Sequence, residues 1–153
     1  MKITDFLNVQ TIIPALGSRE KNAALEEMAD WLAAHHPPLK KKSVLDVLLD
    51  REKISTTAIG EGVAIPHGKL PGVERVLGVF ARSPEGVDFA SLDGAPTHLF
   101  FVLIAPESAA AGVVVLDDRR GRLGELLHQL QRRLRVEGVG GGQLLGVGGA
   151  PRG

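Results

Sequence analysis

Ten residues, Gly60-Glu-Gly-Val-Ala-Ile-Pro-His-Gly-Lys69, place one histidine in a stiffened, glycine-flanked segment. Pro66 fixes its own φ and pushes Ile65 toward an extended conformation, so His67 leaves a strand-like run at a defined angle. Gly62 and Gly68 remove side-chain bulk on either side, which lets a phosphoryl group approach the backbone. Lys69 adds a cation where transferred phosphate needs neutralising. Imidazole titrates near neutrality, so its neutral form is available as a nucleophile at ordinary pH. These residue types suit His67 to accept a phosphoryl group and pass it on. Taken alone, however, a histidine after proline is more often a plain loop residue.

Four further pieces of sequence turn that balance. They are Leu49-Asp-Arg-Glu-Lys53, Thr56-Thr-Ala-Ile-Gly60, Val87-Asp-Phe89 with Asp93-Gly94, and the run Thr97-His-Leu-Phe-Phe-Val-Leu-Ile-Ala-Pro106. Together with Gly62-Val-Ala-Ile-Pro-His-Gly-Lys69, and in this order, they resemble the IIA domains of the bacterial phosphoenolpyruvate-dependent phosphotransferase system. The type is the fructose/mannitol and nitrogen-regulatory one, and the resemblance covers about residues 1–111. The Ile-Pro-His-Gly block joined to the upstream Arg-Glu-Lys is specific, whereas either alone is weak. The nitrogen-regulatory branch is the most similar, since Ile-Pro-His-Gly-Lys is followed by Leu-Pro-Gly in a lone domain.

The resemblance implies that His67 is the phosphorylated residue and that Arg51 is the active-site arginine. A guanidinium suits that place because its planar fork matches phosphate oxygens. It also implies an HPr-like phosphocarrier as donor, no cofactor, and regulation of kinases or potassium transporters through the phosphorylation state. A sugar-specific component that hands phosphate to a IIB domain uses the same His67 chemistry. The hydroxyls of Ser55, Thr56 and Thr57 lie shortly upstream, and Thr57 is the candidate among them for a phosphoryl oxygen. Such residues in a link also cap turns.

The elements that must hold this site follow from period and punctuation. Residues 19–34 read as a helix, with Leu25, Met28 and Leu32 on one face. His35-His36-Pro37-Pro38 ends it, because prolines cannot continue it. Ser43-Val-Leu-Asp46 has capping-box spacing and starts a second helix that runs to about Lys53. Val44, Leu45, Val47, Leu48 and Leu49 nearly encircle it, which predicts a buried helix with Arg51 at the end facing a cleft. Residues 75–81 and 97–105 read as strands, the second apolar enough to be buried on both faces. Pro84-Glu-Gly86 and Asp93-Gly94 read as turns. The expected fold is α/β, a single domain with a mixed sheet flanked by helices, as the resemblance also implies.

Composition excludes several other classes. Apolar residues make up 44% and charged residues 24% of 153 positions, ordinary for one globular domain. Net charge is zero, so no field favours nucleic acid or an anionic membrane. The lack of cysteine removes disulfides and thiolate metal sites. No segment has the length and apolarity of a membrane span, and the start of the chain lacks a signal-like core, so a cytoplasmic location is expected. No metal is expected: no two histidines have helical i, i+4 spacing, and adjacent His35 and His36 point about 100° apart on a helix. The helix dipole would instead favour their partial protonation. His98 is expected to satisfy a partner beside its strand, Lys40-Lys-Lys42 to be a solvated run, and Asp88 and Asp93 to form no catalytic pair.

Beyond residue 111 the likeness stops. The family would continue with a helix opening on a His-Leu pair, yet no histidine follows until His128, for which a surface role is expected. No lysine occurs after Lys69, arginine supplies all seven cations beyond residue 112, and eight of the last 16 residues are glycine. Residues 112–137 form an atypical continuation with an amphipathic helix expected over 123–136, and 138–153 a Gly-rich tail expected to be disordered. A reading-frame shift near codon 112 and genuine divergence both account for the change, with the composition favouring the shift. Lost terminal helices would slow transfer and uncover part of the sheet. A non-catalytic binding module is therefore the reading that competes with a carrier.

Overall fold

The computed structural model describes residues 5–108, and the expectations for 109–153 lie outside them. A short 3-10 helix, Val9–Thr11, is closed by a reciprocal cap between Asn8 and Thr11 and leads into β1, Ile12–Ile13. The elements that follow are α1 (Lys21–His35), α2 (Lys41–Ile54), β2 (Ala58–Gly60), β3 (Val63–Ala64), β4 (His67–Leu70), β5 (Leu77–Val87) and β6 (Thr97–Pro106). The six-stranded sheet has the order β1-β5-β6-β3-β2, with β4 also paired to β6. Parallel and antiparallel neighbours coexist: β5 and β2 run antiparallel to their partners β6 and β3, and the rest are parallel. The mixed α/β sheet with helices matches the architecture expected from sequence.

Helix α1 buries Ala24, Leu25, Met28, Ala29 and Leu32, the stripe its period predicts. It begins at Lys21, two residues later than the sequence reading. No side chain of its N-cap residue Glu20 caps it; instead the Glu27 carboxylate reaches back to the amides of Gly17 and Ser18 at 3.0 and 3.1 Å. Helix α2 begins at Lys41, so the expected start at Ser43 is corrected: Ser43 lies inside the helix, and Asp46 accepts from Lys42 Nζ at 2.6 Å. Asp46, the acidic residue of the expected cap, is instead engaged by Lys42 one turn back in an i, i+4 charge pair. Its buried stripe is Val44, Leu48 and Glu52, with Leu45, Val47 and Leu49 partly buried around it.

Strand β5 corrects a second expectation. Pro84-Glu85-Gly86 does not end it; the chain continues to Val87 through a register shift between Arg82 and Val87, with Gly86 at φ 87°. A bulge absorbs the proline without closing a hairpin. By contrast, Ser91–Gly94 forms the expected turn, with the Gly94 amide donating to Ser91 at 3.0 Å. Phe100, Val102 and Ile104 of β6 join Val79 and Ala81 of β5 in the core beneath the helices. Phe80 and Phe101 alternate to the opposite face, their ring centroids 4.9 Å apart. β6 is thus buried on both sides, as its apolar run predicts.

Strands β3 and β4 are one path along β6, interrupted at Ile65-Pro66. Val63 pairs with Leu99 and His67 with Leu103, so the register is the same on both sides of the break. Pro66 has no N–H to add to the ladder, yet its carbonyl accepts from Leu103 at 3.0 Å. The ladder resumes at His67, the first residue of β4.

Candidate functional site

Helix α2 lies against β4, and that packing assembles the site. At Gly68 the helix comes so close that a Cβ built there would stand 2.8 Å from Val47 Cγ2. Glycine at 68 therefore lets α2 and β4 approach, which brings the last turn of the helix level with the first residue of the strand. Arg51 from the helix and His67 from the strand then meet, Arg51 Nε donating to His67 Nε2 at 3.3 Å. Arg51 Nη1 is held by the Ser55 carbonyl at 3.0 Å and its hydroxyl at 3.4 Å.

The second ring nitrogen fixes the chemistry of the first. His67 Nδ1 lies 2.8 Å from the Ile65 carbonyl, two residues back across Pro66. A carbonyl only accepts, so Nδ1 carries the proton and Nε2 presents a lone pair. Burial is the largest influence on the ring and holds its pKa below the ordinary 6.5; the Arg51 charge adds to that, while the Ile65 bond and the Glu52 charge oppose it. The result is a neutral, oriented imidazole with Nε2 turned toward a cation.

Lys69 is two residues along β4, hence on the same side of the strand as His67, and is half-buried. Thr57 is placed differently from its expected contact with phosphate. It is 4% exposed, its amide donates to Glu52 Oε1 at 3.0 Å, and its hydroxyl donates to the same oxygen. Thr56 is likewise engaged, its hydroxyl donating to the Phe89 carbonyl at 3.1 Å. Only Ser55 of the three contacts a residue of the Arg51–His67 pair directly.

Glu52 is the residue that sequence reasoning passed over. It is buried beside Thr57, and its other oxygen pairs with Lys21 Nζ at 2.7 Å. A signal was present: Glu52 falls on the four-residue step of Val44 and Leu48, where a core residue is due.

The remaining candidates stand apart. His98 Nδ1 donates to the Ser83 carbonyl at 2.9 Å within the sheet. Asp93 accepts from the Glu61 amide at 2.9 Å and the Ser91 hydroxyl at 2.7 Å and forms no pair with Asp88. His35 stacks on Trp31 and bonds its carbonyl at 2.8 Å. Partial protonation was expected for both histidines at the end of α1, but the pKa of His36 is lowered by burial, then by Arg75 and His35. Among the described residues no cluster of three or more His, Asp or Glu side chains is placed to hold a metal ion, and no helix is long and apolar enough to cross a membrane.

A histidine–arginine pair of this kind on a mixed sheet accords with the family likeness in the sequence. The family model described as phosphoenolpyruvate-dependent sugar phosphotransferase system, EIIA 2, matches residues 5–117. The chain belongs to this family. The chain is 50% identical over 111 residues to a nitrogen regulatory protein of Bradyrhizobium diazoefficiens, covering 72% of each. It is 41% identical over 109 residues to the fructose-specific EIIABC component of Bacillus subtilis, which is 71% of this chain and 17% of that protein. Among solved structures, the nitrogen regulatory protein IIA-Ntr of Neisseria meningitidis superposes with a TM-score of 0.71 at 32% identity, over 89% of this chain and 88% of that one. EIIA proteins of this family are phosphotransfer proteins, and both nitrogen-regulatory and sugar-specific relatives are similar to this one.

Proposed function

We propose that this EIIA chain is a phosphocarrier in which His67 takes a phosphoryl group on Nε2 from the phosphohistidine of an HPr-like protein. The observation that carries the reading is the Nδ1–H bond to the Ile65 carbonyl at 2.8 Å, which leaves the Nε2 lone pair as the attacking group. In the transfer, Nε2 forms a bond to phosphorus as the bond from phosphorus to the donor's ring nitrogen breaks. The bonding pair stays on the donor nitrogen, returning that imidazole to its unphosphorylated form. The His67 ring gains positive charge at that moment, and the Ile65 carbonyl, already accepting from Nδ1–H, stabilises it.

Arg51 guards and then assists. Its contact with Nε2 at 3.3 Å is long for a hydrogen bond, so little is lost when the fork turns from nitrogen to the incoming phosphoryl oxygens. Lys69, on the same side of the strand, adds charge for those oxygens. Gly68 can contribute only backbone, and Thr57 acts from beneath through its bond to Glu52. Positioning and electrostatics supply the catalysis, as is general for phosphoryl transfer.

Placement in the nitrogen-regulatory branch rests on the similarity to the Bradyrhizobium protein. The phosphorylation state would then set which kinases or transporters the chain binds in the cytoplasm, since a phosphoryl group in an interface alters charge and hydration together. The sugar-specific reading, with a IIB domain as acceptor, is supported by the similarity to the Bacillus fructose component. Incubation with phosphoenolpyruvate, enzyme I and an HPr-type donor, followed by intact mass, tests the carrier function. An acid-labile phosphoryl adduct on the wild type and none on His67→Ala is expected. A folded wild type that takes up no phosphate from a cognate donor would favour the non-catalytic binding module instead.

A further inference from the structure

Glu52 is a carboxylate kept where an apolar side chain would complete the stripe of α2. Its side chain is 4% exposed, and burying a charge costs several kcal/mol unless it is paired and hydrogen-bonded. Here it is both. Lys21 Nζ pairs with Oε2 at 2.7 Å and lies 4.9 Å from the centroid of the Phe89 ring, so the cation is itself fixed. Oε1 accepts from both the amide and the hydroxyl of Thr57.

From Thr57 the connection runs on to the nucleophile. The Thr57 carbonyl accepts from the Ile65 amide at 3.0 Å, and the Ile65 carbonyl holds His67 Nδ1 at 2.8 Å. One residue, Ile65, is thus gripped through its amide on the side of Thr57 and grips the imidazole through its carbonyl. The link that Glu52 anchors also contains Ser55, whose carbonyl holds Arg51. Both members of the Arg51–His67 pair lean on residues 55–57.

We propose that Glu52, neutralised by Lys21 and acting through Thr57 and Ile65, is a positioning residue that sets the tautomer and aim of His67. The transfer half of this inference rests on the phosphocarrier reading; the tautomer half does not. A helix-end carboxylate serving only stability would brace the link without altering which imidazole nitrogen carries the proton.

The test uses ¹⁵N-histidine-labelled full chain, comparing wild type, Glu52→Ala, Glu52→Gln and Thr57→Val. Ring ¹⁵N shifts of the unphosphorylated protein report the His67 tautomer, and steady-state transfer from an HPr-type donor reports kcat and KM. The wild type should show the Nδ1–H form. Glu52→Ala should add a measurable Nε2–H population and lower kcat about tenfold with KM for the donor little changed, as expected when aim and not docking is lost. Glu52→Gln keeps an acceptor for Thr57 and should recover most of both. If Glu52→Ala does not fold, Thr57→Val, which removes only the hydroxyl bond, should shift the tautomer and kcat in the same direction by a smaller factor. A folded Glu52→Ala or Thr57→Val with the wild-type tautomer would overturn the proposal. A wild type with the Nδ1–H form but no transfer would instead count against the carrier reading while leaving the tautomer comparison decisive for Glu52.

Discussion

Adding one methyl group at residue 68 should separate the two halves of the site. The new Cβ of Gly68→Ala would stand 2.8 Å from Val47 Cγ2 and 3.0 Å from Cγ1, where ordinary carbon contacts are about 3.5–4.0 Å. Either Val47 leaves its rotamer or α2 lifts from β4, and overpacking of this size costs about 1–3 kcal/mol. With a urea m-value of about 2 kcal/mol/M, the unfolding midpoint should fall by roughly 0.5–1.5 M. Lifting α2 also lengthens the Arg51–His67 contact, now 3.3 Å, so phosphoryl uptake should slow alongside. Val47→Ala removes both methyl carbons that the new Cβ would meet, at a cost of about 1 kcal/mol for its own lost burial. In that background Gly68→Ala should be nearly neutral, giving a favourable coupling of about 1–3 kcal/mol in a double-mutant cycle read by urea denaturation. An equal loss from Gly68→Ala in both backgrounds would refute the claim that helix approach is the reason for glycine there.

The same geometry makes three further predictions. Arg51→Ala should raise the His67 pKa, because the guanidinium adds to the lowering that burial begins; an NMR titration of the ring checks it, and a fall would contradict the assignment. His67 and His36 both have lowered pKa values in the folded chain, so the unfolded chain binds protons more readily. Their contribution is fully present above the ordinary 6.5 and is lost as pH falls below it, so urea midpoints should drop on acidification, and drop less in a variant lacking both rings. Asp93→Ala should speed exchange of the Glu61 amide, which Asp93 Oδ2 accepts at 2.9 Å, without changing that of the Ile65 amide; unchanged Glu61 exchange would show that the turn does not depend on the carboxylate.

What was legible in the sequence was the part governed by local rules. Pro66 and the glycines marked a break before His67, and the break is there, with the imidazole at the start of β4. The apolar run of β6 predicted burial on both faces because no polar residue interrupts it between Leu99 and Ala105. Arg51 at the end of a core helix followed from the residues before it. Less legible were features set by partners distant in sequence. Glu52 was given no role because nothing local reveals Lys21, 31 positions away, or the ring of Phe89. Thr57, the candidate for a phosphoryl oxygen, is instead taken by an acceptor only five residues back, whose own burial the sequence reading did not mark. Ser43–Asp46 and Pro84–Gly86 misled in a different way, since the same Asp46 can serve a cap or a charge pair with Lys42, and one composition serves both a turn and a bulge.

The central claim is that His67 presents Nε2 to the phosphoryl donor while Nδ1–H stays on the Ile65 carbonyl. Phosphorylating ¹⁵N-histidine-labelled chain with an HPr-type donor and recording ring ¹⁵N and ³¹P spectra tests it most directly. The structure predicts phosphorus bonded to Nε2 of His67, with the proton retained on Nδ1. Phosphorus on Nδ1, or on another histidine, would contradict it.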